Sequence, residues 1–218
     1  MSAAYKVPNP NRTNSNRTGE ITLSICLAIV LAAATVCAPL AAAAETPTPQ
    51  AAAEASRKID RIREAHESGA SFGELRLTEL EANSYVAYEL APDIPAGVSQ
   101  ITLQFTPGRM SGSTVVDFDR LKRGLSTPPN PVADFLLRGV HTIGAEGSVS
   151  GRNGIGQFQL ERVLLDGVAL PQMVVDYLIE QYLIPRFPDA AINRPFVLPF
   201  SIDSFRSGTQ AVTVTGKK

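Results

Sequence analysis

Asp117 and Asp119 stand two residues apart in "STVVDFDRLKRG", and on a strand that spacing projects both carboxylates from one face. Such a pair could flank a scissile bond or hold a cation. Arg120, Lys122 and Arg123 follow at once, so the plainer reading is the wet face of a strand beside its counter-charges. His141 has Ser148 and Ser150 downstream of it, but no nucleophile-elbow pattern surrounds either serine. The other histidine, His66, lies in a charge-rich stretch and reads as surface. The glycines of "GRNGIG", Gly151 to Gly156, could suggest a phosphate cradle, yet they join two strand-like runs and no helix follows them, so they read as a turn. No zinc spacing occurs. These residues supply no catalytic constellation, no metal site and no cofactor site. A carboxylate-dependent hydrolase resting on Asp117 and Asp119 is the enzymatic alternative.

The bulk numbers narrow the classes further. The chain has 218 residues, 44% hydrophobic and 19% charged, with a formal net charge of −1, which is not the electrostatics of a nucleic-acid binder. Lys6, Arg12 and Arg17 precede an apolar run from Ile21 that ends in Ala42-Ala43-Ala44. A positive segment, an apolar segment and an A-x-A site describe a signal peptide over 1–44. The run is short for a membrane span and Pro39 follows it, although an uncleaved anchor would bring membrane contact. Both cysteines, Cys26 and Cys37, fall inside this segment. Acylation at Cys37 would need a small residue before it, and Val36 stands there. Setting aside Lys6, Arg12, Arg17 and Glu20 leaves 17 basic and 20 acidic residues, a charge of −3 and no thiol in the exported part.

The elements that would position any site follow from periodicity. Residues 45–76 open as a Pro/Thr linker and continue through an Ala- and charge-rich piece, Ala51 to Glu67, which is a marginal helix or a solvated tether. A single domain is expected over 77–218. Its first helix is signed by Thr78 as N-cap, Glu81 as capping-box partner and Leu77 as staple. Around it, Leu80, Ala82, Val86, Ala87 and Leu90 share one half with Asn83, while Ser84, Tyr88, Glu81 and Glu89 take the other. An amide on an apolar face either bonds a specific backbone segment or faces something other than core.

Strand alternation then appears in Ile101, Leu103 and Phe105, and again in Met110, Thr114, Val116 and Phe118 across the turn "TPGR". A short helix is predicted in "NPVADFLLRG", capped by Asn130 and stopped at Gly139. A second hairpin runs from Val140 through the Asn153-Gly154 turn to a strand on which Phe158, Leu160 and Leu164 share a face. A helix follows from Pro171 to Ile184. The close reads as a last hairpin, with Leu198, Phe200 and Ile202 alternating and then Val212 and Val214. The sum is an α+β domain, a twisted antiparallel sheet of about six strands in hairpins packed on three or four helices.

The Gln172–Ile184 helix is apolar almost all round its circumference. Either it is sandwiched in the core or one side lines a groove for an apolar ligand. The groove residues expected on that reading are Val86, Leu90, Val174, Tyr177, Leu178, Tyr182 and Phe187.

The stretch "LTELEAN" resembles the L-T-E-x-E-L-N opening of small exported bacterial phospholipid-binding proteins of the mannan-elongation type and related envelope proteins. Leu77, Thr78, Glu79, Glu81 and Asn83 match, and Ala82 stands where leucine is usual. The ending "IDSF", Ile202 to Phe205, followed by a turn and "AVTV", is also similar, so the resemblance spans about Leu77 to Thr215. It implies a fold like the tubular lipid-binding proteins, in which a twisted sheet wraps helices around an apolar groove, and it implies an architectural role for Asn83 at the helix–sheet interface. The expected function is an exported, periplasmic or envelope-associated domain that binds lipid or another apolar molecule without catalysis. The rival is an envelope module that takes a protein partner and no ligand.

Overall fold

A computed structural model describes residues 45–123, 137–185 and 192–217. Among them lie nine strands in one antiparallel sheet and four helices. The strands are β1 (Glu74–Thr78), β2 (Val98–Thr106), β3 (Arg109–Asp117), β4 (Val140–Arg152), β5 (Ile155–Leu165), β6 (Val168–Ala169), β7 (Pro195–Val197), β8 (Ile202–Gly208) and β9 (Ala211–Gly216). The helices are α1 (Pro49–Ser68), α2 (Glu79–Tyr88), α3 (Phe118–Lys122) and α4 (Gln172–Leu178), the last continued by a π-helical turn, Ile179–Leu183. The α+β class and the hairpins agree with the sequence. The extra strands are β1 and the short β6 and β7.

The backbone of the sheet runs β1-β9-β8-β4-β3-β2, with β5 on β4 and with β6 and β7 on β5. The long β4 pairs with β3 over Val140–Ser148 and meets β8 only at Gly151, opposite Phe205. The β2–β3 and β8–β9 hairpins therefore share one edge of β4 end to end. The tip between β2 and β3 is tied to β8 by the Ser207 hydroxyl, which donates toward the Thr106 and Arg109 carbonyls at 2.8 Å each.

Local chemistry accounts for most of these elements. Thr78 and Glu81 form both halves of a capping box on α2, with Glu81 N–H to Thr78 Oγ1 at 3.2 Å and Thr78 N–H to Glu81 Oε2 at 2.8 Å. Asn153 and Gly154, both at positive φ, make the two-residue turn between β4 and β5. Leu103, Phe105, Met110, Thr114, Val116 and Phe118 are all buried, as their alternation requires.

Four readings are corrected. First, of the marginal helix and the tether offered for Ala51 to Glu67 the helix is the one that forms: Pro49–Ser68 is a 20-residue helix, capped by Thr48 and ended by Gly69 in the left-handed region. Its mean hydropathy is low, yet Ala51, Ala52, Ala55 and Ala65 are buried, because alanine lets the helix approach α2 closely. Second, Ser84 is completely buried and Ala87 exposed, since α2 is covered by α1 on one side as well as by the sheet. Third, a bulge opposite Glu146/Gly147 shifts the phase of β5. Leu160 therefore shares the core with Val163 and Leu165, while Leu164 faces away beside β6. Fourth, the chain reverses at Phe200 and Ser201, both at positive φ, so Leu198 and Ile202 belong to two segments. The helix predicted from Asn130 lies almost wholly outside the described residues.

Candidate functional site

Between one face of the sheet and helices α1 and α2 lies a partly open cavity of about 200 Å³. Ile59 of α1 and Ala82, Tyr85 and Val86 of α2 form its helical side. Leu103, Phe105 and Met110 enter from the β2–β3 hairpin, Val149 and Phe158 from β4–β5, and Phe205, Val212 and Val214 from β8–β9. Phe196, Leu198, Pro199 and Ile202 close it at the β7–β8 connection. Gln157 and Tyr85 are the residues of this lining whose side chains carry a polar group. The alternation of each strand places these side chains on one surface, and register brings the strands together.

Two glycines shape the wall. Gly151 and Gly156 oppose each other on β4 and β5, and an aromatic ring comes close to each. A Cβ on Gly151 would stand 2.2 Å from Phe205 Cδ1, and one on Gly156 would stand 2.6 Å from Phe196 Cζ. Any side chain there would lift a ring into the cavity.

Polar contacts fix the helices over this space. Asn83 answers the question its position raises: its Nδ2 donates to the Leu103 carbonyl at 2.9 Å and its Oδ1 accepts from the Leu103 N–H at 2.6 Å. The amide thus stands in for a neighbouring strand on the open edge of β2. Glu79 accepts from the Phe105 N–H at 2.9 Å on the same edge. Lys58 of α1 bonds Glu81 at 2.7 Å and the Arg76 carbonyl at 2.7 Å. Burial pushes the Glu81 carboxyl up, but the Lys58 ammonium and the bonds from Thr78 outweigh it and hold its pKa below the ordinary carboxylate value. The ends of α1 are held by the Thr48 N–H on Ser84 Oγ at 3.0 Å and by His66 Nδ1 on Ser201 Oγ at 2.8 Å. His66, read as surface from the sequence, has its ring edge-on to Phe200 at 5.9 Å.

The residues with catalytic spacing are committed elsewhere. Asp117 accepts the Arg120 N–H at 3.0 Å as the N-cap of α3, and Asp119 accepts the Gly139 N–H at 3.1 Å. Helix α3 begins at Phe118, so the two carboxylates do not share a strand face. His141 Nδ1 meets Asp166 Oδ2 at 2.7 Å and its Nε2 meets the Arg138 carbonyl at 2.7 Å. With a carbonyl on Nε2, the ring has no free nitrogen to take a proton from a nucleophile. The hydrogen bond to Asp166 raises the His141 pKa; burial opposes this, and the Arg138 carbonyl and the charges of Asp166 and Asp119 add to it. A second cleft of about 650 Å³, beside α2 and β2, has a mixed lining that includes Arg76, Glu79, Gln104 and Gln210. Among the described residues no group of three His, Cys, Asp or Glu could hold a metal ion.

Of the groove residues expected from sequence, Val86 lines the cavity. Leu90 is buried in the core without lining it. Val174, Tyr177, Leu178 and Tyr182 lie on α4 and its π turn, at the other end of the core, where Tyr182 meets Phe118 edge-on at 5.6 Å. Phe187 lies outside the described residues. The sequence reading placed the groove on the greasiest helix, whereas the cavity is walled chiefly by strands. Its signal was the inward alternation of Phe105, Phe158, Leu198, Val212 and Val214, combined with the facing glycines Gly151 and Gly156. The chain matches no protein-family model and no curated protein.

Proposed function

We propose that this chain is a non-enzymatic binder of a small apolar ligand, an acyl segment or a molecule of similar size, acting in the cell envelope. The observation that carries the reading is a cavity of about 200 Å³ lined almost wholly by hydrocarbon. An apolar cavity of about 150 Å³ suffices for a benzene-sized guest. At ~30 Å³ per water-sized group, this cavity takes about seven carbons. Burying seven methylenes at ~0.8 kcal/mol each gives a gross gain of about 5–6 kcal/mol, against an association cost of at least about 4 kcal/mol. A whole long acyl chain would exceed the space, so the ligand is a short chain, or one segment of a longer lipid whose remainder lies outside.

Ala82 supports the same reading. It lines the cavity at the position where the resembled proteins carry leucine, which leaves the wall three carbons short. The signal-like N-terminus and the resemblance support export and an envelope setting. The rival, an envelope module without ligand, draws on one observation: the volume lies below the roughly 300 Å³ at which ligand pockets usually begin.

The test is solvent extraction of the natively purified protein followed by mass spectrometry. A stoichiometric apolar species, displaced in Ala82→Leu while the fold persists, is the expected result. An empty protein that also fails to take up a fluorescent short-chain acyl probe overturns the proposal in favour of the rival.

A further inference from the structure

On the outer side of the cavity wall, Ile155 and Val197 oppose each other directly across β5 and β7 and are 46% and 75% exposed. Phe196 and Leu198, on either side of Val197, point the other way and line the cavity. One short edge strand therefore has the ligand space behind it and two bare aliphatic side chains in front. Arg152 opposes Ile155 across the β4–β5 turn, and Lys217 lies over that turn, its Nζ 3.2 Å from where a side chain on Gly154 would begin. Both cations are exposed. In the strand segments that meet here, 74–76, 150–157, 195–205 and 214–217, the acidic residues are Glu74 and Asp203 and the basic ones Arg76, Arg152 and Lys217. This is a local positive charge on a chain whose net charge is negative.

We infer that this corner, Arg152, Ile155, Val197 and Lys217, is a docking face for a bilayer surface rich in anionic headgroups. Cations beside exposed aliphatic tips match such a surface: the charges meet headgroups, and the side chains reach the acyl boundary. A protein partner fits less well, since a stable interface takes about 800 Å² from each side and two aliphatic tips offer far less. The inference deepens the proposed function, on which it rests, by giving the apolar ligand an entry route at β7. It also explains why β7, an edge strand, carries valine outward where a charge would normally protect an edge.

Vesicle flotation of the full chain tests it, because any contribution of the N-terminal apolar segment is then common to every variant. The vesicles are phosphatidylcholine alone and phosphatidylcholine mixed with phosphatidylglycerol. The expected result is stronger partition onto the mixed vesicles, the excess over phosphatidylcholine alone being reduced about 25-fold in the double variant Arg152→Gln, Lys217→Gln, at roughly five-fold per cation. Val197→Ser, which leaves the charge untouched, is expected to reduce it as well. Partition that is equal on the two vesicle types, or unchanged in both variants, overturns the docking face. The proposed ligand is judged separately by solvent extraction: bound lipid without vesicle partition removes the docking face alone, and an empty cavity removes the ligand alone.

Discussion

Replacing Asn83 with leucine tests whether its side chain serves as part of the sheet. The substitution keeps roughly the volume and removes both hydrogen bonds to Leu103, a residue that is 5% exposed. Water has little access there to replace them. Each backbone group left unpaired costs about 1–3 kcal/mol, so the loss is about 2–6 kcal/mol out of a typical domain stability of roughly 5–15 kcal/mol. Asn83→Asp is expected to be as damaging, since it retains the acceptor for the Leu103 N–H but turns a carboxylate toward the Leu103 carbonyl. Urea unfolding followed by circular dichroism reads the change as a lower midpoint at constant slope. A midpoint for Asn83→Leu corresponding to less than about 0.5 kcal/mol would refute the reasoning, and would mean that Leu103 finds other partners.

The Lys58–Glu81 pair links α1 to the capping box, and Glu81→Gln is expected to cost roughly 1–2 kcal/mol at neutral pH. Because the folded pKa of Glu81 is lowered, its contribution is present above the ordinary glutamate value and is lost as pH falls through the lower folded value; the wild type and Glu81→Gln should therefore converge in acid. His141 has the opposite sign: its raised pKa gives stability that is fully present below the ordinary histidine value and lost as pH rises through the folded one. Asp166 is lowered by its bonds to His141 and to the Thr142 N–H, so its share is present above the ordinary carboxylate value and is lost as pH falls through the lower folded one. Asp166→Asn should shift the His141 titration, followed by NMR, toward lower pH; an unmoved midpoint would contradict the pairing. Gly151→Ala should destabilise the fold by ~1–3 kcal/mol, because its Cβ collides with the Phe205 ring, and it should quench uptake of an apolar probe; wild-type stability would show that the ring can give way.

What was legible in the sequence was local. Thr78 and Glu81 announce a helix start through spacing alone, and Asn153-Gly154 announces a hairpin because few other pairs tolerate two positive φ angles. Alternation placed Leu103, Phe105, Met110 and Val116 inward, and the structure buries them. What failed was long-range or phase-dependent. The β5 bulge turns Val163 to the face of Phe158 and Leu160 in place of Leu164, which is buried on the opposite face, and no residue in "QLERVLL" marks it. Helix α1 has a polar composition, and its alanine face acquires meaning only against α2. The cavity depends on register: Phe205 comes to lie on Gly151 through the pairing of β8 with β4, which neither segment encodes alone. The helical apolar surface of Gln172–Ile184 drew attention because composition is visible where pairing is not.

The seam of the sheet explains how a fold of this size can keep open space inside. The path of strands ends at β2, and the outward groups of β2 are satisfied by no strand. Asn83 takes the Leu103 N–H and carbonyl, Glu79 takes the Phe105 N–H, and the Gln210 N–H donates to the Phe105 carbonyl at 3.0 Å. Gln210 in turn accepts the Glu79 N–H at 2.8 Å, so the tip of the β8–β9 hairpin and the first turn of α2 are bound into one closure. A barrel closed by backbone pairing holds its walls at the spacing of neighbouring strands. Here the last gap is bridged by a helix, which is about twice as wide, and the side chains that fix it to β2, Glu79 and Asn83, lie in its first two turns. The residues just beyond the seam, Ala82 and Val86, are too small to fill the width so created. The cavity is thus a consequence of using Asn83 and Glu79 as sheet partners, with Ala82 and Val86 as its wall on the helix side.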